Sequence, residues 1–204
     1  KSSKKIVLEE FLDGEEASYF LIVDKKSFIC FGTAQDHKKV YEKEKGPNTG
    51  GMGAYSPAPI IDKNLEKKII RKIVEPTLKA LKDKNQFYRG FLYVGLMIKN
   101  KEPYLIEYNV RMGDPECQVI LPRLKTDLLK IINYSLENKL KKLKLNWEKN
   151  KCMTVVLCSK GYPGNYNKGK IIRFKNIDDK KNLFIIHAGT KMNKKDIIST
   201  GGRV

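Results

Sequence analysis

The apolar residues of this chain change their spacing along its length, and that change limits the fold more than any single motif. Residues 16–23 (EASYFLIV) and 27–34 (SFICFGTA) are short apolar runs bounded by turn residues. Residues 5–12 (KIVLEEFL) form another, which the Asp13-Gly14 dipeptide would turn back onto 16–23. This predicts an antiparallel meander. From Asp62, a suitable N-cap, apolar side chains recur at Leu65, Ile69, Ile70, Ile73, Val74, Leu78 and Leu81, the period of an amphipathic helix, with Pro76 set to kink it. Residues 87–99 and 103–110 return to strand-like runs, and 126–140 (TDLLKIINYSLENKL) reads as a second helix capped by Thr126 or Asp127. Beyond the polar stretch 141–151 the pattern shortens to three small strands, 152–159, 170–174 and 183–188, separated by glycine turns. The expectation is an α+β fold: an antiparallel sheet with packed helices in residues 1–145, then a small, mostly β domain in 146–204.

Composition narrows the function classes. With 204 residues and 41% hydrophobic content the chain can bury one good core and part of a second. It contains no long uninterrupted apolar run, and its first residues, KSSKKIVLEEF, lack the apolar centre of a secretory signal, so a cytoplasmic protein is expected. Cys30, Cys117, Cys152 and Cys158 show neither CxxC spacing nor disulfide-scaffold density; reduced, partly buried thiols are expected. The formal net charge of +18 invites a nucleic-acid reading. Yet of 41 basic residues only six are Arg, at 71, 89, 111, 123, 173 and 203, and the lysines are spread among Asn, Ile and Leu. Without the arginine fork that reads bases and phosphates, this is the pattern of solvated faces, and no nucleic-acid partner is expected. The charge still raises the local concentration of anionic substrates.

Three stretches carry chemistry. In YLIEYNVR (104–111), Glu107 and Asn109 lie two apart on a strand and project to one face, with Ile106 and Tyr108 on the other. A carboxylate and an amide oxygen side by side suit Mg²⁺ or Mn²⁺, and Arg111 on the same face can grip a phosphate or carboxylate. In RMGDPECQ (111–118), Gly113 permits a sharp turn, Asp114 can cap a helix beginning at Pro115, and Glu116 lies in its first turn, where free N–H groups favour anions. A solvated sheet edge and an ordinary capped helix remain the alternatives, because E-x-N-x-R is a weak pattern and DPE is common at helix starts. The third stretch, Asp36–Pro59, shows neither helical nor strand periodicity. Gly46, Gly50, Gly51 and Gly53 would let consecutive N–H groups converge on an anion, with Asn48 and Thr49 adding side-chain hydrogen bonds. It is not a Walker A loop, since the G-K-[ST] ending is missing. Asp36 and His37 end a strand beside it, Lys38 and Lys39 can attract phosphates, and His37 suits a structural hydrogen bond or a substrate contact equally.

Taken in order, EEFLDGEEAS (9–18), QDHKKV (35–40), GPNTGGMGAYSPAP (46–59), GFLYVGLM (90–97), IEYNVRMGDPECQ (106–118), GYPG (161–164), HAGT (187–190) and GGRV (201–204) resemble the phosphoribosylamine-glycine ligases, or glycinamide ribonucleotide synthetases, of the ATP-grasp superfamily. The resemblance runs from Ile6 to Val204. It implies an ATP-grasp fold, with residues 1–145 a partial ATP-grasp domain comprising its second lobe and core, and residues 146–204 part of the family's C-terminal domain. It also implies ATP-dependent joining of glycine to 5-phosphoribosylamine in purine biosynthesis through glycyl phosphate, by a monomer whose partners are small molecules. Adenine would meet Glu9 and the backbone at Phe11 and Leu12, and the ribose would meet Glu16. Glu10 and Glu15 are the alternatives, because one residue of misalignment exchanges faces. Glu107 and Asn109 would hold Mg²⁺ or Mn²⁺ bridging ATP phosphates, and Arg111 would stabilise the transferring phosphoryl group. Asp114 and Glu116 would orient glycine's ammonium or the attacking amine, with helix capping as their alternative. Asp36, His37, Asn48, Thr49, Gly50, Gly51 and Gly53 would form the substrate side. Gly95 stands where many ATP-grasp enzymes carry a further acidic metal ligand; Met112 and Lys39 are departures that touch no reacting group. The resemblance further implies that the family's N-terminal third is missing and that the chain stops short of the usual end. GYPG, HAGT and GGRV read as turns, and the motifs assign no role to His187 or Arg203.

Overall fold

The computed structural model of the chain describes residues 6–43, 45–174 and 182–204. Its strands, in chain order, are β1 (Glu15–Val23), β2 (Phe28–Asp36), β3 (Lys39–Tyr41), β4 (Lys45–Asn48), β5 (Gly53–Ser56), β6 (Gly90–Lys99), β7 (Glu102–Asn109), β8 (Cys152–Val155), β9 (Ile171–Ile172), β10 (Thr190–Asn193) and β11 (Asp196–Ser199). The helices are α1 (Lys63–Ile69), α2 (Glu75–Asp83), α3 (Cys117–Ile120) and α4 (Leu128–Leu136). They form two compact units, each assembled from separate stretches: Lys1–Thr33, Ala58–Met112 and Thr126–Leu145 in the first; Ala34–Pro57, Gly113–Lys125 and Asn146–Val204 in the second.

In the first unit the strands lie in the order β7-β6-β1-β2. β1 pairs antiparallel with β6 along its whole length, from Glu15↔Ile98 to Val23↔Gly90. Alternation then puts Ala17, Tyr19, Leu21 and Val23 on one face with Leu92, Val94, Leu96 and Ile98, packed against Leu65, Ile69, Ile73 and Val74 of the helical segment. Each Val, Leu or Ile among them, fully buried, contributes about 2 kcal/mol. As the sequence suggests, Asp62 caps α1, accepting from the Leu65 N–H at 2.7 Å. Pro76 acts one turn earlier than a simple kink: residues 70–74 open into a single π turn, and α2 begins with Pro76 in its first turn. In an unbroken α-helix the proline ring would meet the Lys72 carbonyl and supply no N–H; the wider turn relieves both, and the Glu75 N–H bonds to the Ile70 carbonyl instead.

The second predicted helix is shorter than 126–140. Asp127 caps it, accepting from the Lys130 N–H at 2.7 Å, and Asn138, in the left-handed region at φ 57°, marks where it has ended. The turn between β1 and β2 is organised by buried Asp24, whose Oδ1 accepts from the N–H groups of Lys26 (2.8 Å) and Ser27 (2.6 Å) and the Ser27 hydroxyl (3.1 Å). Its Oδ2 accepts from the Leu140 N–H at 3.1 Å, and Ser135 donates to the Val23 carbonyl at 2.9 Å, so the segment after α4 is fixed to the end of β1.

In the second unit Gln35 and Asp36 of β2 pair with Tyr55 and Ala54 of β5, β5 pairs with β8, and β9, β10 and β11 form a separate sheet in the order β10-β11-β9. Two expected strands are absent. Residues 6–13 carry no ladder because both edges of β1 are taken, by β6 and β2, which leaves no place for a hairpin partner; Lys5 lies outside the described residues. Ile6, Val7, Leu8 and Phe11 are correspondingly 83, 82, 89 and 87% exposed. Gly14 is required not for a turn but for close approach, since a Cβ there would lie 2.4 Å from the Ile98 carbonyl oxygen. Residues 183–188 likewise form no strand, and pairing resumes only at Thr190. Among the described residues no helix is long and apolar enough to cross a membrane.

Candidate active site

The geometry of β7 depends on one extra residue. Pairing runs Ile98↔Pro103, Met97↔Tyr104 and Leu96↔Leu105, then resumes at Gly95↔Glu107, so Ile106 is bulged out of the ladder. Cross-strand partners share a face, so Leu105 goes with Leu96 toward the helices while Glu107 goes with Gly95 to the other side. Without the bulge, residues 105 and 107 would face the same way. Beyond it, alternation is restored: Tyr108 turns to the helices, its hydroxyl 2.6 Å from the Thr77 hydroxyl, and Asn109 returns to the side of Glu107. The Asn109 amide donates to Glu107 Oε1 at 3.0 Å. This leaves a carboxylate and the Asn109 carbonyl oxygen adjacent on one exposed face. That donor set fits a magnesium ion, which takes few protein oxygens and completes its shell with water and phosphate. Among the described residues no group of three or more His, Cys, Asp or Glu is arranged to hold a metal. Gly95 bears on this directly, since a Cβ there would stand 3.1 Å from Glu107 Cγ and push the carboxylate aside.

The register also separates the two candidate ribose carboxylates. Glu16 pairs with Met97 and shares the face of Gly95 and Glu107; Glu15 pairs with Ile98 and lies on the helix face, beside Ile60, Asp62 and Leu65. Glu9, Glu10 and Phe11 are exposed and Leu12 is half-buried, all outside any strand, so alternation does not choose between Glu9 and Glu10. Arg111 lies just past β7, exposed, donating to its neighbour's carbonyl at Met112 (2.9 Å).

In the second unit the glycine-rich stretch is more regular than its sequence suggests. β3 and β4 form a hairpin with Lys39 opposite Asn48 and Tyr41 opposite Lys45, and β5 follows at Gly53. Gly46 is obligatory in this hairpin: at φ 85° its Cα rests against the Tyr41 ring, which a Cβ would approach to 2.5 Å. The N–H groups from Thr49 to Met52 do not stand open to a ligand as expected. Those of Thr49 and Met52 donate to the carbonyls of Lys38 (2.7 Å) and His37 (2.8 Å), that of Gly51 to the Thr49 hydroxyl (3.1 Å), and that of Gly50 to the Tyr162 hydroxyl (2.9 Å). The Thr49 hydroxyl in turn donates to the Lys38 carbonyl at 2.7 Å. Short internal acceptors hold the loop in shape, and Asn48 is left exposed at its rim. His37 is exposed, its ring 5.5 Å from that of Tyr55, and its N–H donates to the Gly53 carbonyl at 2.9 Å. Gly51, at φ 102°, packs so that a Cβ would meet Pro115 Cδ at 2.4 Å and Asp36 Oδ1 at 2.8 Å. Asp36, Gly51 and the Asp114-Pro115 corner are therefore brought together.

Asp114 caps no helix. The helical turn starts at Cys117 rather than Pro115, and the N–H groups of Cys117, Gln118 and Val119 are bonded to the carbonyls of Gly113, Pro115 and Glu116. The expected anion-attracting helix start is thus already satisfied internally. The Asp114 carboxylate instead accepts from Gln118 Nε2 at 2.8 Å and Arg203 Nη2 at 2.7 Å. Glu116 is 2% exposed and folds over Gly113, where a Cβ would lie 2.2 Å from its Oε2. Arg203 is one of the two residues, with His187, that the motifs left unassigned: it is distant in sequence from Asp114 and Gly50, and only its position inside GGRV marks it.

Residues 1–117 match the phosphoribosylglycinamide synthetase, ATP-grasp (A) domain, and residues 152–204 match the C domain of the same synthetase. The chain belongs to the phosphoribosylglycinamide synthetase family. A phosphoribosylamine–glycine ligase of Caldanaerobacter subterraneus subsp. tengcongensis is 50% identical over 199 residues, covering 98% of this chain and 47% of that protein. The chloroplastic ligase of Arabidopsis thaliana is 45% identical over 207 residues, covering 98% of this chain and 38% of that protein. The crystal structure of the Thermotoga maritima phosphoribosylamine–glycine ligase superposes with a TM-score of 0.83 at 33% identity, over 96% of this chain and 48% of that one. The chain spans about half the length of the curated relatives it matches. Membership in this ATP-grasp family accords with the α+β architecture, antiparallel sheets with few helices followed by a mostly stranded C-terminal region.

Proposed function

We propose that this chain is part of an enzyme that joins glycine to 5-phosphoribosylamine with ATP, giving glycinamide ribonucleotide, ADP and phosphate. The observation that carries the reading is the Glu107–Asn109 pair, two oxygen-bearing side chains 3.0 Å apart on one face of β7. Glu107 and Asn109 would hold Mg²⁺ or Mn²⁺, which, when bound, neutralises the β and γ phosphates of ATP. Glycine's carboxylate attacks the γ-phosphorus and ADP leaves; the amine of phosphoribosylamine then attacks the carbonyl carbon of the resulting glycyl phosphate, expels phosphate and gives up a proton. Arg111 supplies positive charge to the phosphoryl group in transfer; Glu16 meets the ribose; Glu9 or Glu10, with Phe11 and Leu12, meets adenine. Asp114 and Glu116 orient the ammonium or the attacking amine. The stretch containing Asp36, His37, Asn48, Thr49, Gly50, Gly51 and Gly53 flanks the substrates and keeps water from the acyl phosphate. Because the N–H groups from Thr49 to Met52 are engaged, that turn acts chiefly as a shaped wall rather than as an anion nest. Catalysis here is orientation and charge neutralisation. We assign residues 1–145 to the ATP-grasp part and 146–204 to the C-terminal domain, in a cytoplasmic, monomeric enzyme without a nucleic-acid partner.

The test is ADP release by this chain and by a form extended to the full length of the relatives, with glycine and phosphoribosylamine omitted in turn. The expected result is release by the full-length form that needs both. Release that ignores both omissions removes the assignment, and release that needs a different acid reassigns the substrate within the ATP-grasp ligases.

A further inference from the structure

We propose that Arg203, together with Tyr162, is a positioning clamp that fixes the Gly50–Gly51 turn and the Asp114 carboxylate for the ligation, an inference that rests on the ligase reading above. Arg203 Nη1 donates to the Gly50 carbonyl at 2.5 Å and lies 3.4 Å from the carbonyl oxygens of Gly51 and Asp114, while Nη2 donates to Asp114 Oδ2 at 2.7 Å. Gly50 is thereby held through both of its flanking peptides, its N–H donating to the Tyr162 hydroxyl at 2.9 Å and its carbonyl accepting from the guanidinium. A Cβ at residue 50 would come within 3.0 Å of Arg203 Cζ, so glycine is the residue that lets the turn rest on the guanidinium.

The clamp stands on a fixed base. The Gly189 N–H donates to the Arg203 carbonyl at 3.0 Å, the Val204 N–H to the Leu157 carbonyl at 2.9 Å, and the Ser159 N–H to the Gly202 carbonyl at 2.7 Å. Gly202 leaves room for the Tyr162 ring, which a Cβ would approach to 2.1 Å. GYPG, HAGT and GGRV, which read from sequence as three turns, thus converge on one arginine. A lone surface ion pair is worth little. This guanidinium differs because it gathers acceptors from two segments distant in sequence, with a planar fork that lysine cannot reproduce.

The test compares Arg203→Met, Arg203→Lys, Arg203→Ala and Tyr162→Phe in the full-length form, by hydrogen exchange of the 46–53 stretch and by steady-state kinetics. In Arg203→Met the amides of that stretch exchange about tenfold faster while those of β10 and β11 keep their protection. In the same variant kcat falls about a hundred-fold, as for a misplaced reactive group, and KM for ATP changes less than about twofold. Arg203→Lys falls between, Tyr162→Phe speeds exchange in the same stretch by releasing the Gly50 N–H, and guanidinium ions restore part of the activity of Arg203→Ala. Unchanged exchange in 46–53 overturns the clamp, and so does equal loosening of β10 and β11, which would make Arg203 a general structural residue. Wild-type protein without glycine-dependent ADP release would instead condemn the ligase reading, and the exchange result would still judge the clamp's effect on the loop.

Discussion

At the scale of single residues, Glu107 and Asp24 show how the same side-chain type serves opposite ends. Glu107 is exposed and accepts one hydrogen bond from its neighbour on the strand, leaving oxygen lone pairs for a ligand. Replacing it with Ala removes a donor of the proposed cation without touching the core, so turnover of the full-length form should fall to background while the melting temperature stays within a few degrees. Activity retained at ordinary Mg²⁺ would contradict the metal role. Asp24 is buried, and burial alone would raise its carboxyl; the N–H groups of Leu140, Lys26 and Ser27 and the Ser27 hydroxyl outweigh it and hold the group below its usual range. A depressed folded value means that its stabilisation is present above the ordinary carboxylate range and is lost as pH falls through that lower value. Asp24→Ala strands several donors and should cost about 3 kcal/mol at neutral pH, read from denaturant unfolding. All four cysteines are half-buried, and that is enough to shift their thiols: burial pushes Cys30 up to about 11 and raises Cys117, Cys152 and Cys158 as well. Thiol reagents at about pH 8 should therefore label the folded protein slowly and all four cysteines promptly after denaturation.

At the scale of elements, what the sequence concealed was where strands meet. Lys68 in α1 and Lys72 in the π turn both reach Glu102 at the start of β7, the second at 2.6 Å. Their hydrogen bonds hold the Glu102 carboxyl at about 2, well below 4.5. The pairing stabilises the helix–strand contact above the ordinary value and loses that contribution as pH falls through about 2. Glu102→Gln should therefore flatten the fall of melting temperature between about pH 5 and about pH 2 at low salt, with added salt shrinking the difference between variant and wild type. The helix from Asp62 was legible because a capping carboxylate and a clean apolar period agree with the packing they produce. The runs 5–12 and 183–188 were misleading because apolar content reports suitability for a strand, and a strand also needs a free edge. β1, the expected hairpin partner of 5–12, has none to give.

For the whole molecule, the charge of +18 and the family's chemistry make separate predictions. Dispersed lysines bind polyanions through counterion release, so any affinity for duplex DNA should lack sequence preference and vanish by about 0.2 M salt in fluorescence anisotropy. Binding that survives that salt, or that prefers a sequence, would revive the nucleic-acid reading. By itself the amino-acid order determined the family, the α+β class, the capped helix and the pairing of Glu107 with Asn109, because each rests on neighbours in sequence: a period, a cap, a spacing of two, a run of motifs. Tertiary structure alone decided the rest. The bulge at Ile106 turns Glu107 away from the helices only because Leu96 claims Leu105 from the adjacent strand. Arg203 grips Gly50 and Asp114 only because folding brings residues 153 and 89 positions apart within hydrogen-bond reach. Contacts of that range depend on where chains meet in space, and no local spacing encodes them.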